Sequence, residues 1–428
     1  MAPTRVAFLT FYYEAWDALA EIHELMLQDP HFEVKVVAVP RRLTGDGEFD
    51  DASAASGFFD SIGVEHEVAG STPAGSAGQT PFDLEAFAPD YVFINYPWQR
   101  NYQPQCRVEN LVRFTRVAYV PYYSLPMAGE GFEAHSTASN PTHPSVAPHL
   151  YTQRSHQLAS LVFTQTADVA EAYAHTSRGN SHVHFVGSTK IDALTHEVQK
   201  FEVDDRLTLV WAPHHSYSPH WLNFGVFAQM HTQMLAWAAA HPEVEVILRP
   251  HPFMFGTLVD RNVLTAEDLE AWRKAWLALP NCSIDTDSGA AQILAKAQIL
   301  LTDGISFLAE YPLATGRPAI FIENQGHWRF THIGELAANA CVRLNSFEEF
   351  ADGFDFILEA GLPDRTAELA ALREAATPFA GNAATKIVEI VAQHATSGPN
   401  GQLPPLIDPA SVTETPWEFQ EGREPLID

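Results

Sequence analysis

The sequence predicts an α/β protein built from two Rossmann-like domains that face a central cleft. Short apolar runs of strand length alternate with helical patterns along most of the chain, the mark of parallel sheets covered by helices on both faces. The alternation comes as two series that separate near Ala193–Arg206, and 428 residues suit two domains. The expected divisions are 1–195, 206–378, a helix over 379–395 that packs back toward the first domain, and an extended tail over 396–428.

In the first series the strands are RVAFLTF (Arg5–Phe11), FEVKVVAVP (32–40), DYVFINYP (Asp90–Pro97), RVAYVPYY (Arg116–Tyr123), SLVFTQ (Ser160–Gln165) and HVHFVG (His182–Gly187). After the first strand, Trp16, Leu19, Ala20, Ile22, His23 and Met26 approximate a helical stripe. A polar, Gly-rich insert is expected from Arg41 to Gly57. In the second series the strands are LTLVWAP (Leu207–Pro213), VEVILRP (Val244–Pro250), CSI, QILLT (Gln298–Thr302), PAIFIE (Pro318–Glu323) and ACVRL (Ala340–Leu344). Helices are expected at about 223–240, 266–279, 306–315, 366–375 and 384–394. The tail is rich in Pro, Gly and acids without periodicity, and Trp417 and Phe419 are its candidate anchors.

Composition excludes several functions. With 25 Lys+Arg against 53 Asp+Glu the net charge is −28, which disfavours non-specific nucleic-acid binding and docking on an anionic membrane. No apolar run reaches the length of a membrane span, and the first residues lack the apolar core of a signal peptide. Cys106, Cys282 and Cys341 are scattered, so reduced thiols in a cytoplasmic protein are expected rather than disulfides or a Cys zinc site. No GxGxxG follows the first strand and no GxxxxGK[ST] occurs, so neither a dinucleotide cofactor nor a P-loop is expected. The acidic loop DGEFDD has the wrong spacing for calcium and reads as solvated.

In open parallel sheets ligands bind beyond the carboxyl ends of the strands. HVHFVG leads to STKID with Lys190 and Asp192, LTLVW to APHHS, VEVIL to RPHP, and QILL to TDGIS. In TDGIS, Gly304 permits a tight turn and Ser306 is placed to cap the helix that follows. The N–H groups and dipole at that start favour a phosphate, with Asp303 in the same turn and Glu310 one turn further in as an acceptor for ribose hydroxyls. In RPHP, Arg249 and His251 offer donors to phosphate oxygens, and the flanking prolines fix His251 in an extended turn. His214 and His215 point to opposite sides if extended, so only one is expected to face the cleft. With His220 they fit no standard zinc spacing, and no metal is expected. GISFL lacks the second Gly of GxSxG, which makes Ser306 a poor hydrolase nucleophile.

The order GSTKID, WAPHHS, LRPHP, LLTDGISFLAEYPLATGRPAIFIE resembles the C-terminal domain of the CDP-glycerol glycerophosphotransferases of teichoic acid and capsule synthesis, and the likeness spans about residues 90–330. The resemblance implies a GT-B fold, with an acceptor-side first domain and a nucleotide-donor site in the second. It implies donor phosphates meeting Lys190, Asp303, Ser306 and the catalytic pair His214 and His251, with Glu310 at the place of an acidic helix residue. The chemistry implied is attack by an acceptor hydroxyl on a nucleotide-activated donor, glycerophosphate-bearing or glycosyl. The acceptor would be a small molecule or carbohydrate, and no protein-bound cofactor takes part.

This chain departs from the family pattern at several positions. APHHS has no Arg, Lys190 replaces an Arg, Ile305 replaces a Ser, and the family's W-H-G segment is absent, with YVPYYSL in that region. The base is therefore unassigned among Tyr12, Glu14, Tyr123 and His135 on loops of the first domain. An NDP-sugar 2-epimerase and a non-catalytic nucleotide-sugar-binding protein are the alternatives. An epimerase would need clustered carboxylates, for which the sequence offers Asp303, Glu310 and Glu323.

Overall fold

The computed structural model describes residues 2–42, 48–69, 81–129, 146–201, 206–219, 222–286 and 289–417. Asp46 and Gly47 of the acidic loop, His135, His220 and Phe419 lie outside the described residues.

The chain divides into two units. The first comprises Met1–Ser124, Phe132–Lys190 and Asn382–Asp428, the second Leu125–Gly131 and Ile191–Gly381. Each carries one wholly parallel sheet. In the first unit the strands are β1 (Thr4–Thr10), β2 (Phe32–Ala38), β3 (Glu67–Val68), β4 (Tyr91–Ile94), β5 (Arg116–Tyr119), β6 (Leu161–Thr164) and β7 (Val183–Phe185), in the order β3-β2-β1-β4-β5-β6-β7. In the second they are β8 (Thr208–Ala212), β9 (Glu245–Leu248), β10 (Cys282–Ile284), β11 (Ile299–Thr302), β12 (Ile320–Ile322) and β13 (Val342–Leu344), in the order β10-β9-β8-β11-β12-β13. Both orders reverse direction between their first and fourth strands, the doubly wound arrangement.

Period-two alternation assigns the core of the second unit. Leu209 and Trp211 of β8 join one apolar cluster with Val246, Leu248, Ile299 and Leu301. Val210 and Ala212 join the opposite cluster with Leu300, Leu308 and Phe321. Central strands are therefore apolar on both faces, which is why they read as continuous runs rather than alternating ones. In the first unit Val6 and Phe8 pack with Ala384, Ile387 and Val391 of the helix Ala383–Ala395, so the sheet is completed by a helix nearly 400 residues away in sequence.

Some elements differ from the sequence reading. A helix at Ser53–Ser61 begins inside the stretch read as a polar insert, because Ala55 and Phe59 bury against the first core. The helix Phe347–Ala360 was not anticipated, although Ser346 and Glu349 form the S-x-x-E start signal and the Ser346 hydroxyl accepts the Glu349 N–H at 3.3 Å. Residues 125–131 group with the second unit, where the Thr331 hydroxyl donates to the Pro126 carbonyl at 2.6 Å and the Gly129 N–H to the Arg329 carbonyl at 3.1 Å. The tail is anchored through Trp417, which is buried and donates its backbone N–H to the Thr152 carbonyl at 3.0 Å. Among the described residues no helix is long and apolar enough to cross a membrane.

Candidate functional site

In the second unit the reversal of strand order lies between β8 and β11. The segments leaving the carboxyl ends of β8, β9 and β11 are Pro213–Tyr217, Arg249–Phe253 and Asp303–Ser306. They converge on a histidine cluster. The His214 and His251 ring centroids are 5.5 Å apart, His214 and His215 are 4.5 Å apart, and His215 stacks on His251 at 4.0 Å and 27°. Both residues of the HH pair thus reach His251, contrary to the expectation that they diverge. The reason is that β8 ends at Ala212 and the chain turns, so strand alternation no longer applies.

Asp303 makes that turn. Its carboxylate accepts the His214 N–H and the Val226 N–H, each at 2.6 Å. Burial pushes its carboxyl up to about 7, and the two N–H bonds work against that rise. Asp303 therefore anchors the loop, its oxygens committed to the backbone. Gly304 is required by contact rather than by φ, since a Cβ there would sit 2.4 Å from the His214 Cβ. Gly304→Ala is expected to displace His214 and cost about 1–3 kcal/mol in urea unfolding, with a parallel loss of any ligand the histidines hold.

The hydrogen bonds also assign the histidine protons. The His214 Nδ1 receives the Ser216 N–H at 3.3 Å and lies 2.8 Å from the Ser216 hydroxyl, which itself accepts the Phe224 N–H at 2.9 Å. The His251 Nδ1 receives the Phe253 N–H at 3.3 Å. With donors aimed at both Nδ1 atoms, the ring protons ride on Nε2. Burial holds His214 and His251 well below their ordinary range and brings His215 down to about 4, so all three are neutral at pH 7. The cluster is a set of neutral N–H donors, suited to an anion without carrying a full charge. Among the described residues no group of His, Cys, Asp and Glu is arranged to hold a metal ion.

Beside them the helix Phe307–Thr315 starts at Ser306, which is exposed; its hydroxyl makes no capping bond, and its carbonyl accepts the Ala309 and Glu310 N–H groups. The expected side-chain cap is therefore not formed. Pro312 lies inside this helix and cannot donate to the Leu308 carbonyl, which instead meets the Cys341 thiol at 3.4 Å. Glu310 is half-buried on the first turn.

The remaining candidates lie in other surroundings. Arg249 is paired with Asp285 and joins the ends of β9 and β10. Lys190 belongs to the first unit, with its ammonium 3.1 Å from Asp17. Glu14 pairs with Arg41 at 2.7 Å. Tyr12 joins Tyr96 and Tyr122 in an aromatic cluster with centroids 5.1–5.5 Å apart at the carboxyl ends of β1, β4 and β5. Tyr123 is next to it, and its carbonyl accepts the Gln165 side-chain N–H at 2.7 Å. Glu323 is bound by His327 at 3.0 Å and by Arg343. Sequence reading missed Tyr96, Tyr122, Ser216 and Asp285. Strand-end position was a usable signal for the tyrosines, but the partners of His214 and Arg249 were visible only in space.

No protein-family model matches the chain, and no curated protein matches it in sequence. The fold is nevertheless shared with solved enzymes of GT-B-like architecture. One is a UDP-GlcNAc 2-epimerase from Neisseria meningitidis bound to UDP-GlcNAc, at 14% identity and TM-score 0.56, covering 91% of this chain and 100% of that one. Another UDP-N-acetylglucosamine 2-epimerase matches at 14% identity and TM-score 0.58, covering 95% and 100%. The wall teichoic acid polymerase TagF, in a structure soaked with CDPG, matches at 11% identity and TM-score 0.54, covering 92% and 89%.

Proposed function

We propose that this chain is an enzyme acting on a nucleotide-activated substrate, a GT-B transferase that moves a glycerophosphate or glycosyl group to an acceptor hydroxyl. The observation that carries this reading is the pair of histidines at the strand-order reversal, each with Nδ1 bonded to backbone and Nε2–H left as its donor, beside a helix start. Neutral N–H donors suit a diphosphate, and as the new bond to the acceptor oxygen forms, the old bond's electron pair leaves on a nucleotide phosphate oxygen. Donors held rigidly by the Ser216 and Phe253 backbone stabilise that growing charge without reorganising. In this reading His214, His251 and the Ser306 helix start hold the phosphates, and Glu310 accepts from the ribose. Asp303 and Gly304 position the histidines, and Arg249 is a support for the His251 turn. Tyr12, Glu14 and Tyr123 stay candidates for the acceptor side, and Lys190, expected at the donor phosphates, is left to its ion pair with Asp17 in the first unit.

A second reading, an NDP-sugar 2-epimerase, is favoured by the full-length fold match to two such enzymes. The two separate in one experiment: the protein is incubated with UDP-GlcNAc, CDP-glycerol and other NDP-sugars, with and without acceptors. Acceptor-dependent nucleotide release supports transfer. An epimerised sugar with the nucleotide still attached overturns it. In the same panel UDP or CDP is expected to raise the melting temperature, and His251→Ala to remove at least tenfold of the affinity, about 1.4 kcal/mol. A shift unchanged in His214→Ala and His251→Ala would discard the phosphate site.

A further inference from the structure

Within the first unit a cavity of about 500 Å³ lies by the amino ends of β6 and β7, the edge opposite to the one where such sheets place their principal ligands. Its walls come from four stretches: Ser160 and Leu161, Arg178 to His184, the end of the helix Ala383–Ala395, and Pro404 to Ile407 of the tail. Arg116 fastens the tail there by donating to the Pro404 carbonyl, and the Tyr91 hydroxyl lies 2.7 Å from the His394 Nδ1. The volume is in the range of small-molecule sites.

The chemistry of the walls is asymmetric. Arg178 is the one cation among the lining residues, no Asp or Glu lines the cavity, and among the described residues Arg178 makes no salt bridge. Its Nη1 donates to the Gln157 carbonyl at 2.9 Å and the Ala159 carbonyl at 2.5 Å. Both hydrogens of that nitrogen are thereby used, and the Nε–Nη2 edge is left, the edge whose two parallel N–H groups match a carboxylate. His182 is only 8% exposed, and its ring nitrogens are closed off from the cavity. Burial brings His182 down to about 3 and His394 to about 4, and lowers His184, so at neutral pH the cavity carries a single positive charge. Leu161, Ile390, Pro404, Pro405 and Ile407 supply the apolar part.

We propose that this cavity is a binding site for a small monocarboxylate with an apolar body, its carboxylate forked by the Arg178 Nε–Nη2 edge, its body against the tail prolines and Ile407. One guanidinium matches one carboxylate charge, and the tail residues make the far wall.

Calorimetry on the full chain tests it, with benzoate as probe and benzamide as its neutral isostere. Benzoate is expected to bind saturably and at least tenfold more tightly than benzamide. Arg178→Met should abolish the preference. Ile407→Glu, which leaves the guanidinium and its carbonyl bonds intact, should weaken benzoate about tenfold by charge repulsion with an unchanged melting temperature, so the idea stays testable if Arg178→Met fails to fold. His251→Ala should leave the binding unaltered. Equal affinity for the two probes, benzoate binding retained in Ile407→Glu, loss in His251→Ala, or no saturable heat with benzoate overturns the proposal.

Discussion

Lowering the pH from 7 to 5 is expected to destabilise this protein by several kcal/mol and to unfold its first unit ahead of the second. His149, His156 and His182 are buried in the first unit and brought down to about 3 by burial, and His215 in the second to about 4, from an ordinary 6.5. A histidine whose folded-state pKa is lowered contributes fully above 6.5 and loses that contribution as pH falls toward the folded value, because only the unfolded chain takes up the proton. His214 and His251, also held well below their ordinary range, join His215 in the second unit; at pH 5 each group costs about 2 kcal/mol, so each unit loses about 6. That compares with a total stability of about 5–15 kcal/mol for a typical domain. Asp303 works in the opposite direction. Raised to about 7, its burial cost is relieved as pH falls from 7 toward 4, and because it lies in the second unit it offsets part of that unit's loss and leaves the first unit the weaker.

Urea titrations followed by tryptophan fluorescence at pH 7.5, 6 and 5 check this. Trp98 and Trp417 lie against His149, at ring separations of 6.5 and 5.7 Å, and report on the first unit directly. His182→Phe should flatten the acid limb by about 2 kcal/mol. A stability that stays level between pH 7 and 5 would show that these histidines are charged in the folded state.

The second large effect is expected from Asp303→Ala. It strands the N–H groups of His214 and Val226, and a buried donor left unpaired costs about 1–3 kcal/mol. Two of them, with the cavity, should bring the loss to about 3–5 kcal/mol, measured by urea unfolding at pH 8 where the native carboxyl is ionised. The same change frees the turn that sets His214 against His251, so nucleotide-induced stabilisation should vanish with it. Asp303→Asn, which keeps one acceptor, should fall between the two. Full nucleotide binding in Asp303→Ala would mean that the histidines do not depend on this anchor.

The legibility of this molecule followed the range of the interactions. Each central strand was visible because burial on both faces requires an unbroken apolar run of a few residues, as in Leu209–Ala212 and Ile299–Thr302. The two-residue β3 was too short to produce such a run. The helix Phe347–Ala360 shows in the sequence only through its start signal, Ser346 and Glu349, and the three phenylalanines Phe347, Phe350 and Phe354 that it buries. At the site, the strand-end rule put His214, His251, Asp303 and Ser306 on the loops that leave β8, β9 and β11. It assigned Asp303 to a ligand where the fold commits it to two backbone N–H groups, and it separated His214 from His215 where the fold brings both against His251, His215 stacked and His214 edge-on.

By itself the sequence determined two parallel sheets, every strand but the two-residue β3, and which residues follow their carboxyl ends, because periodicity and burial are properties of contiguous residues. Only the tertiary structure decided which groups are committed to partners and which keep a donor to offer. Asp17 with Lys190, Arg41 with Glu14 and Asp285 with Arg249 are pairs chosen across loops, and the Arg178 cavity takes its walls from residues 160 to 407. Charge and hydrogen bonding are satisfied by whatever the fold brings near, and no local pattern in the chain records that choice.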